Sequence, residues 1–87
     1  MEILLVFTEP QHAIEIEDGL EGYGYTLQII HTPIELLDVN PFYCKTTLKI
    51  LNPDTDLIDR VTSLPVADLF HHVDGRFVSA HPILEGV

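Results

Sequence analysis

Cysteine is nearly absent from this chain, which has only Cys44 among its 87 residues. A single thiol cannot form a disulfide within the chain, so the fold depends on an apolar core rather than on covalent cross-links. The start, Met1-Glu2-Ile3, lacks the basic segment of a secretory signal. No apolar run approaches the roughly 20 residues of a membrane span. These absences predict a cytoplasmic protein.

Positively charged side chains are also scarce. Four lysine and arginine residues stand against 14 aspartate and glutamate residues, which gives a net charge of -10. A field of that sign repels phosphate backbones and anionic lipids, so we expect no nucleic-acid or membrane binding. The charge is explained by a well-solvated surface or by a basic protein partner.

The length of 87 residues predicts a single domain, residues 1–87, because two halves of this size could not each bury enough surface to be stable. Apolar residues make up 46% of the chain, which is too many for an intrinsically disordered protein. The chain should therefore fold alone or as a small oligomer such as a homodimer.

The first half of the chain predicts a strand followed by a helix. Residues 2–7 are a continuous apolar run, typical of a central strand that is buried on both faces. Thr8 fits an N-cap, and the apolar spacing that follows predicts a helix over 9–21 that buries Ile16 and Leu20. A second strand is predicted over the next alternating segment, residues 25–31.

Proline and glycine divide the rest of the chain. Thr32-Pro33 could begin a short helical turn, and an alternating strand is predicted over 44–51. A helix follows, starting at Asp54 or Thr55. Residues 66–72 allow either a further helical turn or an extended run. The remaining elements are an Asp74-Gly75 turn, a strand over 76–80 and a loosely held tail over 81–87.

This order predicts an α+β domain of ferredoxin-like βαββαβ type, with a four-stranded, mainly antiparallel sheet and two helices on one face. Exposure should alternate along residues 44–50. The predicted apolar core consists of Leu4, Val6, Ala13, Ile16, Leu20, Leu27, Ile29, Leu48, Ile50, Leu57, Val61 and Phe77.

Cys44 is the first candidate for chemistry, because it lies beside Lys45 and near Lys49, the only lysines of the chain. Nearby cations favour the thiolate, which is the reactive form of cysteine. If the strand already includes position 44, the thiol faces the apolar side and behaves as a small core side chain. If the preceding loop extends through it, the sulfur is accessible.

A family resemblance depends on the same region. Leu5-Val6-Phe7-Thr8 leads into a helix, an extended segment ends in Thr32-Pro33, and a loop with one cysteine precedes the alternating strand Thr47-Leu48-Lys49-Ile50. This pattern, mainly over residues 2–51, resembles the small selenium/sulfur carrier-like domain family. The resemblance implies a persulfide relay through Cys44, with protein partners that donate and accept sulfur. We expect no cofactor.

The histidines invite a metal interpretation, chiefly His71-His72 with Asp74 and His81. Adjacent residues in a strand point to opposite faces, and the spacing matches no known zinc pattern. We therefore expect no bound metal.

Enzyme motifs are missing from the sequence. No nucleophile elbow surrounds Ser63 or Ser79, and the glycines at 19, 22 and 24 are better explained by helix termination than by dinucleotide binding. Two functions remain. One is a sulfur or selenium carrier acting through Cys44 with support from Lys45 and Lys49. The alternative is a non-enzymatic acidic interaction module whose edge strand or carboxylate-rich helix faces dock a basic partner.

Overall fold

The computed structural model describes residues 2–79, which form one antiparallel five-stranded sheet with three short helices. In chain order the elements are β1 (Glu2–Val6), α1 (His12–Leu20), β2 (Leu27–His31), α2 (Ile34–Val39), β3 (Thr46–Ile50), α3 (Leu57–Val61), β4 (Asp68–Val73) and β5 (Arg76–Ser79). None of the helices in this part of the chain has the length and apolar character needed to cross a bilayer.

The central strand is β1, as its continuous apolar run predicts. The strand order is β2-β3-β1-β4-β5, so β1 pairs with β3 on one side and with β4 on the other. All four pairings are antiparallel. Residues Ile3 to Val6 are buried because both faces of the sheet are covered at its centre.

Two apolar clusters cover the two faces of the sheet. The α1/α3 cluster contains Ile3, Leu5, Phe7, Ala13, Ile16, Leu20, Leu48, Ile50, Leu57, Val61 and Leu69. The α2 cluster, on the opposite face, contains Leu4, Val6, Leu36, Tyr43 and Phe70. The prediction that α1 buries Ile16 and Leu20 is confirmed, since they are 0% and 2% exposed.

The α+β class and the antiparallel sheet are confirmed, but the ferredoxin-like count of four strands with two helices on one face is wrong. A fifth strand, β4, occupies the segment whose pattern allowed either a helical turn or an extended run. A third helix, α2, lies on the other face. Leu4 and Val6 point to that face, and Leu36 of α2 removes them from water.

The turn between β4 and β5 is the predicted Asp74-Gly75 hairpin. Val73 pairs with Arg76, so the loop has two residues. Asp74 and Gly75 both have positive φ, at 52° and 75°, which is the conformation of a type I′ turn. The predicted last strand is therefore confirmed through Ser79, while its final residue, Ala80, and the predicted tail over 81–87 lie outside the described residues.

Two local predictions are wrong. Helix α1 begins at His12 without a side-chain cap, because a turn closed by the hydrogen bond from the His12 N–H to the Glu9 carbonyl separates it from Thr8. Along β3 the exposure does not alternate, because Thr47 and Leu48 are both buried. Thr47 lies opposite Val6 and therefore points to the α2 face, where its hydroxyl lies against that of Thr32 and is buried.

The predicted core also differs at its margins. Ile29 is 59% exposed because β2 is an edge strand that none of the helices within residues 2–79 covers at this point. Leu27 and Phe77 are half-buried, the first against the α1/α3 cluster and the second against the α2 cluster.

Candidate functional site

Cys44 lies in the loop before β3, since the strand begins at Thr46. Its backbone N–H donates to the Phe7 carbonyl at 2.8 Å, and its carbonyl accepts from the Thr32 hydroxyl at 2.8 Å. The thiol donates to the Thr46 carbonyl at 3.2 Å, and the half-buried side chain packs against the α1/α3 cluster. Cys44 therefore lies in a loop and is half-buried, and its packing resembles that of a small core residue.

The two lysines lie differently relative to this thiol. Lys49 sits opposite Leu4 in the sheet and therefore points to the α2 face, away from the cluster that Cys44 contacts. Its ammonium pairs with the Glu2 carboxylate at 3.2 Å, and this hydrogen bond holds the pKa of Glu2 below its ordinary value. Lys45 is exposed next to Cys44. The structure thus does not bring Lys49 to the sulfur, and thiolate support by Lys45 stays a prediction.

Buried hydroxyl groups hold the Cys44 loop on the α2 face. Tyr43 is 5% exposed and donates a hydrogen bond to the Asp68 carboxylate on β4. The hydroxyls of Thr32 and Thr47 lie 2.6 Å apart, and both residues are buried. The pKa of the Tyr43 hydroxyl is raised, mainly by burial and secondly by the contact with the Asp68 carboxylate. These contacts fix the position of the loop, and sequence reasoning identified none of them.

The metal candidates point in different directions, as expected for neighbours in a strand. His72 stacks on Phe77 at 4.7 Å between ring centres and approaches Glu2 at 3.4 Å on the α2 face. His71 lines a pocket with Ile3 on the opposite face. Within residues 2–79, no three histidine, cysteine, aspartate or glutamate side chains gather as metal ligands. His81 lies outside the described residues.

The sequence reasoning missed an acidic cleft at the end of α1. Its volume is about 700 Å³, and it is lined by Glu17, Asp18, Leu20, Glu21, Gly22, Gly24, Tyr25 and Leu27. Gly22 and Gly24 have φ of 90° and 84°, and these left-handed turns bring the start of β2 back beside the helix end. We refer to this feature as the acidic cleft.

One signal in the sequence could have revealed the acidic cleft. Carboxylates are unfavourable near a helix C-terminus, where the peptide dipoles already place partial negative charge. Here Glu17, Asp18 and Glu21 surround that end, and the last turn of α1 contains no basic residue.

Arg60 ties α3 to the segment that enters β2. It donates from Nε to the Tyr25 hydroxyl at 3.1 Å, lies 3.8 Å from the Tyr23 ring centre and pairs with Asp56 at 3.5 Å. Tyr25 in turn donates to Asp54 at 2.5 Å. The Arg60 cation therefore serves this internal network beside the acidic cleft.

Comparison with known proteins identified no relative of this chain. No family model, no curated protein and no solved structure matches the chain. The resemblance to selenium/sulfur carrier-like domains stays a prediction, and functional inference depends on the chain's own residues.

Proposed function

We propose that this protein is a small acidic, non-enzymatic interaction module that binds a basic protein partner. The observation that supports this function is the acidic cleft, where Glu17, Asp18 and Glu21 meet at the C-terminal end of α1. Side-chain carboxylates and helix dipole have the same sign there, so their fields add.

Charge also favours a cationic partner on energetic grounds. Negative charge near a helix C-terminus is in general unfavourable, by a few tenths of a kcal/mol to about 1 kcal/mol, because the peptide dipoles already place partial negative charge there. A lysine or arginine from a partner would relieve this repulsion, so binding gains more than an ordinary surface ion pair provides. The attraction extends over a Debye length of about 8 Å at physiological salt and would speed encounter.

The test selects ligands for the protein from a random peptide library. We expect the enriched peptides to be rich in lysine and arginine. In fluorescence anisotropy at physiological salt, the triple variant Glu17→Gln, Asp18→Asn and Glu21→Gln should bind the best peptide about tenfold or more weakly.

The matched control removes the same number of charges elsewhere, by Glu9→Gln, Glu15→Gln and Asp74→Asn at exposed positions. Its affinity should change by less than about threefold, because these groups lie outside the acidic cleft. Equal losses in both variants, or enriched peptides without basic residues, would contradict the proposed function.

A second candidate function is sulfur or selenium transfer through Cys44, favoured by the position of this residue in a loop rather than in β3. The Cys44 thiolate would attack the outer sulfur of a donor persulfide, forming a new S–S bond and releasing the donor thiolate. An acceptor thiolate would then take that outer sulfur and release the Cys44 thiolate. No oxidant is needed, because sulfur moves without a net change in electrons.

Native alkylation distinguishes the two candidates. We expect iodoacetamide to label Cys44 slowly in the native protein and quickly in denaturant, because the thiol packs against the α1/α3 cluster and donates to Thr46. The Cys44→Ser protein gives the background. Fast native labelling with a midpoint below about pH 7.5 would instead favour the carrier.

A further inference from the structure

Strand β2 is an edge strand, because within residues 2–79 it pairs on one side only, with β3. Two backbone hydrogen bonds fix its pattern, from Thr32 N–H to the Lys45 carbonyl and from Leu51 N–H to the Thr26 carbonyl, at 2.8 and 3.1 Å. In an antiparallel pair, alternate residues bond to the neighbouring strand. The even-numbered residues therefore face β3, and the N–H and C=O groups of Leu27, Ile29 and His31 point outward.

This edge lacks the features that usually protect an exposed strand. Natural edges carry lysine, proline or inward-pointing charges that prevent pairing with another chain. Residues 22–34 contain no aspartate, glutamate, lysine or arginine, and β2 itself contains no proline. The side chain of Ile29 is 59% exposed. In the part of the chain that the structure describes, β2 is thus an open site for an added strand.

The edge is continuous with the acidic cleft. Leu27 lines the cleft and begins β2. Ile29 lies opposite Leu48, a member of the α1/α3 cluster, so Leu27 and Ile29 face the same side of the sheet. A strand added along β2 would place one side chain against Ile29 and a neighbour on the same face beside the acidic cleft.

We propose that β2 accepts an extended segment of the basic partner as a sixth strand. An apolar residue of this segment packs on Ile29, and a lysine or arginine on the same face, toward the start of β2, enters the acidic cleft. The inference rests on the proposed function, because the cleft supplies the charge. Backbone bonds give affinity in this mode, and the side-chain sites give specificity.

A second copy of the chain is the less suitable occupant. Its own residues 22–34 contain no cation that could enter the acidic cleft. Antiparallel self-pairing about Ile29 would also bring the cleft end of one β2 toward the α2 end of the other, where Glu35 and Asp38 are exposed. Like charges would then approach each other at both ends of the pair.

Hydrogen exchange measured by NMR tests the strand addition, with the best library-selected peptide as the probe. In the free protein, the amide protons of Leu27, Ile29 and His31 should exchange quickly, and those of Gln28 and Ile30 slowly. Binding should slow exchange at Leu27, Ile29 and His31 about tenfold or more.

Matched peptides and protein variants separate the contribution of backbone hydrogen bonds to binding from the contribution of charge. The same peptide with alternate backbone amides N-methylated keeps its charge and should lose about tenfold or more in affinity. Ile29→Pro removes one outward N–H and no hydrogen bond to β3, so this variant should also bind the peptide about tenfold or more weakly. Its control, Ile29→Thr, keeps the N–H and should bind the peptide more tightly than Ile29→Pro does.

The outcomes distinguish this inference from the proposed function. Equal affinity for the methylated peptide, with no added amide protection, would overturn strand addition, while loss of binding in the cleft variant would still support the proposed function. Unchanged binding by the cleft variant would overturn the proposed function, and the inference with it. Protection of the same amides without peptide, in a dimer detected by sedimentation, would identify a second copy as the occupant and overturn the inference.

Discussion

Replacement of Leu48 by alanine should lower the free energy of unfolding by about 2–5 kcal/mol. Leu48 is fully buried on β3, between β2 and the central strand, and belongs to the α1/α3 cluster. Truncation loses the transfer free energy of the removed methyl groups and leaves a cavity that strands on both sides keep open. The total free energy of unfolding of a native protein is about 5–15 kcal/mol, so this loss would be a large part of it. Urea unfolding followed by far-ultraviolet circular dichroism measures it.

Ile29→Ala is the matched control, because Ile29 lies directly opposite Leu48 on the same face of the sheet but is 59% exposed. Its truncation should change the free energy of unfolding by less than about 1 kcal/mol, since little of its area is removed from water on folding. Similar losses in the two variants would contradict the arrangement in which β2 is an open edge and β3 is interior.

Replacement of Tyr43 by phenylalanine should lower the free energy of unfolding at neutral pH by about 1–3 kcal/mol. The Tyr43 hydroxyl is the donor to the Asp68 carboxylate, and the ring packs edge-on against Phe70. The variant keeps the ring but removes the donor, so a half-buried carboxylate loses its partner. Chemical unfolding at pH 7 gives the size of the loss.

The same substitution should change the dependence of stability on high pH. Burial and then Asp68 raise the pKa of Tyr43 above the ordinary value of 10.0 that applies in the unfolded chain. The unfolded chain therefore loses this proton first, and the stabilisation from neutral Tyr43 is complete below pH 10 and decreases as the pH rises above it. The wild type should lose stability more steeply above pH 10 than Tyr43→Phe, which has no group to ionise at this position.

Tyr23→Phe provides the control for both measurements, because Tyr23 is 52% exposed. Its free energy of unfolding should change by less than about 0.5 kcal/mol, and its high-pH profile should follow that of the wild type. A Tyr43→Phe protein as stable as the wild type, with the same profile above pH 10, would show that the Tyr43–Asp68 contact does not hold the loop to β4.

Several parts of the fold could be predicted from the sequence because their signals are local. The continuous apolar run of residues 2–7 indicates a strand covered on both faces, and it is the central strand. Helical spacing placed Ile16 and Leu20 in the core. The Asp74-Gly75 pair tolerates positive φ and predicted the hairpin turn. In each case neighbouring residues alone determine the outcome.

The remaining features arise only when distant segments meet. Periodicity indicates which side of an element is apolar, but it does not indicate which neighbour covers that side. The burial of Thr47, the exposure of Ile29 and the position of β4 depend on such neighbours.

The candidate sites also combine features that neighbouring residues determine with features that arise only when distant segments meet. The sequence by itself singled out Cys44 as the lone thiol, whereas its contacts with Phe7 and Thr32 depend on where the strands end. The acidic cleft forms because Gly22 and Gly24 return the chain alongside α1, which concentrates carboxylates next to the edge strand β2. Charge is determined by composition, but its concentration at one place is decided by the tertiary structure, since a local field depends on distance.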